Sequence, residues 1–166
     1  MLTPIPHTQI AELPIQSATA ADHAELIAVW EASVRATHHF LAEADLLYYK
    51  GIIGRYFSQC NLYCIREQGA VSAHPVSDTS CGQILAFLGV NGSHIEMLFV
   101  QPAWRGHHLG TRLLTHALRT LGCRTVDVNE QNEAAYGFYV RHGFRLISRD
   151  PEDGCGRPYP ILHLEI

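Results

Sequence analysis

Apolar positions along this chain recur with two different periods, and the switches between them mark its elements. Leu26, Val29, Trp30 and Val34 recur at helical spacing. They follow Thr19, an N-cap with Asp22 three residues on, and predict a first helix to about Thr37. A second predicted helix runs from about Ala42 to Gln59, weakened by Gly51 and Gly54. Leu109, Leu113, Leu114, Ala117, Leu118 and Leu121 form the stripe of a third, Leu109 to Leu121, and Asn132 to Arg141 reads as a fourth. Shorter β-type runs predict strands at Leu13–Ser17, Leu62–Arg66, Gln83–Val90, His94–Val100, Thr125–Val128, Phe144–Ser148 and Ile161–Ile166. Asn91-Gly92 is a two-residue hairpin signal joining two of them.

The order β-αα-βββ-α-β-α-ββ implies one α/β domain with a mixed sheet, over residues 13–166. Met1 to Glu12 is Pro-rich and unpatterned and reads as a loose tail. Gly69 to Ser80 and Asp150 to Pro160 are turn-rich.

Composition changes this picture little. At 166 residues the chain is about the size of one domain, with 47% apolar and 17% charged residues. A net charge of −4 favours neither a nucleic-acid nor an anionic-membrane partner, so an anionic ligand must be held by local geometry. No apolar run reaches about 18 residues, and the first residues lack a signal-peptide pattern. Five cysteines, an odd number without paired pairs, read as free thiols in a reducing cytosol. The doublets His38–His39 and His107–His108 point in different directions on any regular element, so no metal site is expected.

The chemistry concentrates between Ser93 and Phe144. The stretch Glu96 to Gly110, EMLFVQPAWRGHHLG, reads as a strand, a glycine-bearing turn and a helix start. Backbone N–H groups and the helix dipole at such a junction face one pocket and suit an anion. Arg105 adds a fork of donors, and Thr111 a hydroxyl. A Walker loop needs Lys at position 110, which is Gly, and no G-x-G-x-x-G occurs there. Strict alternation along His94–Val100 puts His94, Glu96, Leu98 and Val100 on one face and Ile95, Met97 and Phe99 on the other. Glu96 or His94 can take a proton from an amine, unless both simply face solvent at the strand end.

With a second stretch, Asn129 to Phe144 (NEQNEAAYGFYVRHGF), this region resembles the GNAT superfamily of acyl-CoA N-acyltransferases. Arg105 and Gly110 match the family's Q/R-x-x-G-x-G/A loop, while His108 stands where the middle glycine belongs. Asn132 and Tyr139 match its N-x6-Y spacing, and Phe138, Gly143 and Phe144 its F-Y-x-x-x-G-F signature. The resemblance is nearest to small stand-alone bacterial acetyltransferases.

It implies a mixed, twisted sheet of about seven strands flanked by about four helices, acetyl-CoA as donor and a small-molecule or peptide amine as acceptor. Main-chain groups of Leu98, Phe99 and Val100 would hold the pantetheine arm in a gap beside their strand. The loop Arg105, Gly106, His107 and His108, with Leu109, Gly110 and Thr111, would cradle the pyrophosphate. Asn132 would bond the arm, and Tyr139 would protonate the departing thiolate unless it is only part of an aromatic core stripe. His38, His39, Phe40 and Tyr159 would line the acceptor site. A sensor that binds acyl-CoA without transfer, or an α/β interaction protein, are the alternatives. A cytoplasmic monomer or homodimer is expected.

Overall fold

The computed structural model describes residues 7–68 and 81–166. The segment Gly69–Ser80 therefore lies outside the described residues. Helix α1 spans His7–Glu12, strand β1 Ile15–Ser17, helix α2 His23–Thr37 and helix α3 Glu43–Phe57. Then follow β2 (Asn61–Gln68), β3 (Cys81–Asn91), β4 (His94–Val100), α4 (Leu109–Arg119), β5 (Thr125–Asn129), α5 (Glu133–Arg141), β6 (Arg145–Asp150) and β7 (Ile161–Glu165). The strands make one seven-stranded sheet in the order β1-β2-β3-β4-β5-β7-β6. Only β4 and β5 run parallel; every other neighbouring pair is antiparallel.

Two apolar clusters sandwich the sheet. Leu109, Leu113, Leu114 and Ala117 of α4 and Tyr139 of α5 pack on one face. Leu26, Val29, Trp30 and Val34 of α2 and Leu46, Ile53 and Phe57 of α3 pack on the other. Covered on both sides, the central strand β3 is a continuous buried run from Ile84 to Val90, without polar alternation. At the start of α2, Thr19 N–H donates to the Asp22 carboxylate at 2.7 Å, as the sequence predicted.

Two departures from the sequence reading matter for the site. First, the predicted tail becomes structure from His7 onward. Ile10 is buried, and the Arg112 guanidinium of α4 donates to the carbonyls of Ile10 (2.9 Å) and Leu13. A cap supplied from a hundred residues away leaves no local signal.

Second, β4 does not alternate strictly. Val90 pairs with Ile95 but Gly89 with Met97, a bulge that inserts one extra residue at Glu96. Everything after it changes face. Ile95 joins Leu98 and Val100 in the α4 cluster, whereas Met97 and Phe99 pack with α2 and α3.

The parallel pair is short. β4 and β5 meet only at His94 with Thr125 and Ile95 with Val126. Beyond that point β4 runs on to Val100 and β5 to Asn129 without pairing, so a gap opens between them. This is the divergence that the sequence led us to expect.

Candidate active site

Two features meet at that gap, a main-chain loop on one side of the sheet and a cavity on the other. The loop runs from the end of β4 into α4. Gly106 and His108 both adopt left-handed backbone, at φ 80° and φ 60°. His108 is the sole non-glycine with positive φ among the described residues. It is the N-cap of α4, with no hydrogen bond from its side chain into the helix. The first N–H groups of α4 lack a helical carbonyl a turn earlier and point outward, as an anion site requires.

Gly110 lies in the first turn, against Leu98, Val100 and Phe138. A Cβ there would come no nearer than 3.7 Å to any of them. The fold would thus accept alanine, which favours a helix by about 1 kcal/mol over glycine. A glycine kept where packing does not require it leaves the backbone bare for a ligand to approach. The residues present therefore fit the pyrophosphate and pantetheine of a coenzyme A thioester.

Arg105 departs from its expected role. Its guanidinium donates to the Ser33 carbonyl at 3.2 Å, and the Ser33 hydroxyl donates to the Val100 carbonyl at 2.7 Å. The arginine thus ties the end of α2 to the end of β4, which positions the strand beside the gap. The His107 ring nitrogen lies 3.1 Å from the Arg105 carbonyl, steadying the same loop. Asn132 is likewise a cap, its side-chain oxygen accepting from Ala135 N–H at 3.2 Å at the start of α5.

On the opposite face a cavity of about 350 Å³ opens between α2, α3, the middle of β4 and the 153–161 segment. His38, Phe40 and Tyr159 line it as the sequence predicted, and so does Glu96, onto whose face the bulge brings Met97 and Phe99. His39 is exposed and outside the lining.

His94 is not brought there either. It borders a separate hollow on the same sheet, with its Nδ1 2.8 Å from the Thr125 hydroxyl. It shares a sheet face with Glu96 but lies two residues earlier, at the end where β4 still pairs with β5. Asn129, Tyr49, Tyr56, Asp153 and Cys155 also line the cavity. The aromatic content of α3 was the one trace of Tyr49 and Tyr56 in the sequence.

The floor of this cavity is braced. Asp45 of α3 accepts from the Tyr159 hydroxyl and pairs with Arg157. Asp153 accepts from the Tyr49 hydroxyl, and its other oxygen accepts from the N–H groups of Cys155 and Arg157, each at 2.9 Å. Burial holds the His38 imidazole down to about 4, so it is neutral at pH 7. Burial, helped by the Glu96 charge, pushes the Cys60 thiol up to about 11.

Tyr139 sits on the α4 side of the sheet, 6% exposed, its ring edge-on to Phe138 and Phe144 at 5.2 and 5.4 Å. Burial pushes its phenol well above the ordinary value, so it stays protonated throughout the physiological range. The structure makes it a core ring whose phenol stays protonated.

A splayed parallel pair in a mixed sheet, with a glycine-bearing loop and helix start on one side and an aromatic cavity on the other, matches an acyl-CoA-dependent acyltransferase fold. Comparison with known proteins agrees. The model of the acetyltransferase (GNAT) domain family matches residues 35–146, more than half of the chain. The chain belongs to the GNAT family of N-acetyltransferases.

Peptidyl-lysine N-acetyltransferase YjaB of Salmonella typhimurium is 34% identical over 140 residues, covering 84% of this chain and 88% of that protein. The solution structure of apo-form YjaB from Escherichia coli superposes with a TM-score of 0.75 at 33% identity, covering 92% of this chain and 96% of the other. The structure of yncA from Salmonella typhimurium with its cofactor acetyl-CoA shares the fold, with a TM-score of 0.57 at 18% identity, covering 93% and 92%. The protein is an N-acetyltransferase with acetyl-CoA as donor. No helix among the described residues is long and apolar enough to cross a membrane.

Proposed function

We propose that the acetyl group passes directly to a primary amine held in the α2–α3 cavity, with Glu96 as the base and Tyr139 as the acid. The observation that carries this is the place of Glu96 in the cavity lining beside Met97 and Phe99, which the β4 bulge brings onto its face, next to the point where β4 and β5 part. Glu96 accepts a proton from the acceptor's ammonium, leaving a neutral amine. The amine nitrogen bonds to the thioester carbonyl carbon and the C–S bond breaks. Tyr139 donates its proton to the departing sulfur, and the proton released from nitrogen restores the balance through water.

The loop at Gly106–Thr111 and the α4 N-terminus hold the diphosphate, and main-chain groups of Leu98 to Val100 hold the arm. Coenzyme A thioester chemistry supplies the activated acyl group. The acceptor within this reading is a lysine side chain on a peptide, in keeping with the printed name of the Salmonella relative. A cytoplasmic, bacterial monomer or homodimer completes the reading, in keeping with the bacterial relatives.

The test is calorimetric titration of acetyl-CoA together with thiol release in the presence of a lysyl peptide. Wild type binds and turns over. Glu96→Gln keeps the binding and loses about 100-fold in kcat/KM. Full turnover by Glu96→Gln removes the assigned base. Binding without thiol release across an amine panel describes an acyl-CoA sensor instead.

A further inference from the structure

We infer that the α2–α3 cavity takes, beside a lysine side chain, small primary amines borne on a ring-sized apolar stem and carrying no carboxylate. This rests on the reading of that cavity as the acceptor site and adds a substrate class and a selection rule to it.

Size comes first. At about 350 Å³ the cavity falls within the range, roughly 300–1,000 Å³, of sites that enclose drug-sized ligands. The unbranched four-carbon stem of lysine is much smaller than that. The walls suit something flatter and wider. Trp30, Phe40, Tyr49, Tyr56 and Phe99 contribute aromatic surface, with Tyr159 between Phe40, tilted at 6.1 Å, and Tyr49, edge-on at 6.5 Å between ring centroids. Such rings attract both a second ring and an ammonium group.

Charge then sets the rule. The acidic side chains on the lining are Glu96 and Asp153, and no Lys or Arg is among the described lining residues. The one other titratable nitrogen there, on His38, is neutral at pH 7. Arg157, on the loop that forms the floor, is committed to Asp45 and lies over the Tyr48 ring at 4.1 Å. An acceptor's ammonium finds a partner in Glu96. A carboxylate beside that ammonium, as in a free amino acid, would be desolvated without a cation and next to like charge. A lysine within a peptide passes the same filter because its carboxyl group is tied up in amide linkage.

The experiment compares kcat/KM, by thiol release with acetyl-CoA, for phenethylamine, phenylalanine, butylamine and Nα-acetyl-lysine amide. Phenethylamine should exceed phenylalanine by at least about 100-fold and butylamine by about tenfold. Ile52→Trp, which fills the cavity from α3, should lower the ratio of phenethylamine to butylamine turnover by about tenfold. Equal turnover of phenylalanine and phenethylamine overturns the charge rule. Acetylation of the lysine amide with none of phenethylamine overturns the added substrate class but leaves the acetyltransfer reading intact. Failure of acetyl-CoA to bind in calorimetry overturns that reading itself, so the two failures are distinguishable.

Discussion

Replacing His108 by glycine and, separately, by valine tests whether the diphosphate loop depends on its left-handed backbone. His108 sits at φ 60° and ψ 11°. For an L-residue that region costs on the order of 1–2 kcal/mol, with histidine among the better tolerated. Its side chain is exposed and caps nothing, so its removal loses little besides strain. Glycine relieves the strain but enlarges the unfolded ensemble, at a cost of about 0.4–1 kcal/mol. The net expectation is a gain of roughly 0.5 kcal/mol, or about 1–2 °C in Tm for a chain of this size.

Valine, β-branched, fits the region worst and should lose about 1–2 kcal/mol, lowering Tm by about 2–8 °C. It should also weaken acetyl-CoA binding at least about tenfold, because a loop that relaxes out of this conformation no longer aims its N–H groups at one point. Thermal unfolding followed by circular dichroism reads the first effect and calorimetric titration the second. If the valine variant melts with wild type and binds acetyl-CoA equally well, the loop does not rely on a left-handed residue 108 and the argument fails.

Tyr139→Phe keeps the ring contacts with Phe138 and Phe144, so stability and acetyl-CoA affinity should hold while kcat falls about 100-fold. Unchanged turnover would reduce Tyr139 to a core residue. Arg66, 9% exposed, pairs with Asp22 and with Glu25 at 2.8 Å, and Glu25 also accepts from Ile84 N–H at 2.5 Å. Arg66→Met should therefore destabilise by about 3 kcal/mol in urea titration, the lower end of the range for breaking a buried pair, because both carboxylates are partly exposed. Asp22 is held below the ordinary aspartate value: partial burial opposes this, but the Thr19 N–H and the Arg66 charge prevail. Its stabilising share is present above about pH 4 and fades as pH falls through the lowered native value, so Arg66→Met should flatten the acid side of the stability curve.

His38 titrates in the other half of the range. The unfolded chain binds its proton below about pH 6.5 and the folded chain only near 4, so stability falls as pH drops between those values. His38→Gln should remove that slope, and an unaltered slope in urea titrations at pH 6.5, 5.5 and 4.5 would place the titration elsewhere.

Much of this molecule was legible before folding was considered. The stripe on α4, the Asn91-Gly92 hairpin and the run that became β3 depend on neighbours within a few residues, and each formed close to where the pattern placed it. Tyr139 of the N-x6-Y spacing falls on α5, and the glycine-bearing turn falls between β4 and α4. Local periodicity suffices where one element meets one layer.

The acceptor side was legible only in part. His38, Phe40 and Tyr159 did reach the cavity, but Asp45 with Arg157 and Tyr49 with Asp153 are joined across a hundred residues or more, and no period connects them. Arg105 and Asn132 carry side chains suited to a ligand, yet the fold gives their visible bonds to Ser33 and to the α5 cap. The sharpest case is Glu96.

By itself the sequence determined the α/β class and the order of elements, because hydrophobic period and turn chemistry are local, while the donor followed from the family resemblance. Only the tertiary structure decided that Glu96 and not His94 lines the cavity, and that Met97 and Phe99 share its face. One inserted residue in β4 inverts the side-chain alternation after it, and whether a strand bulges is settled by the strand across from it, not by its own letters.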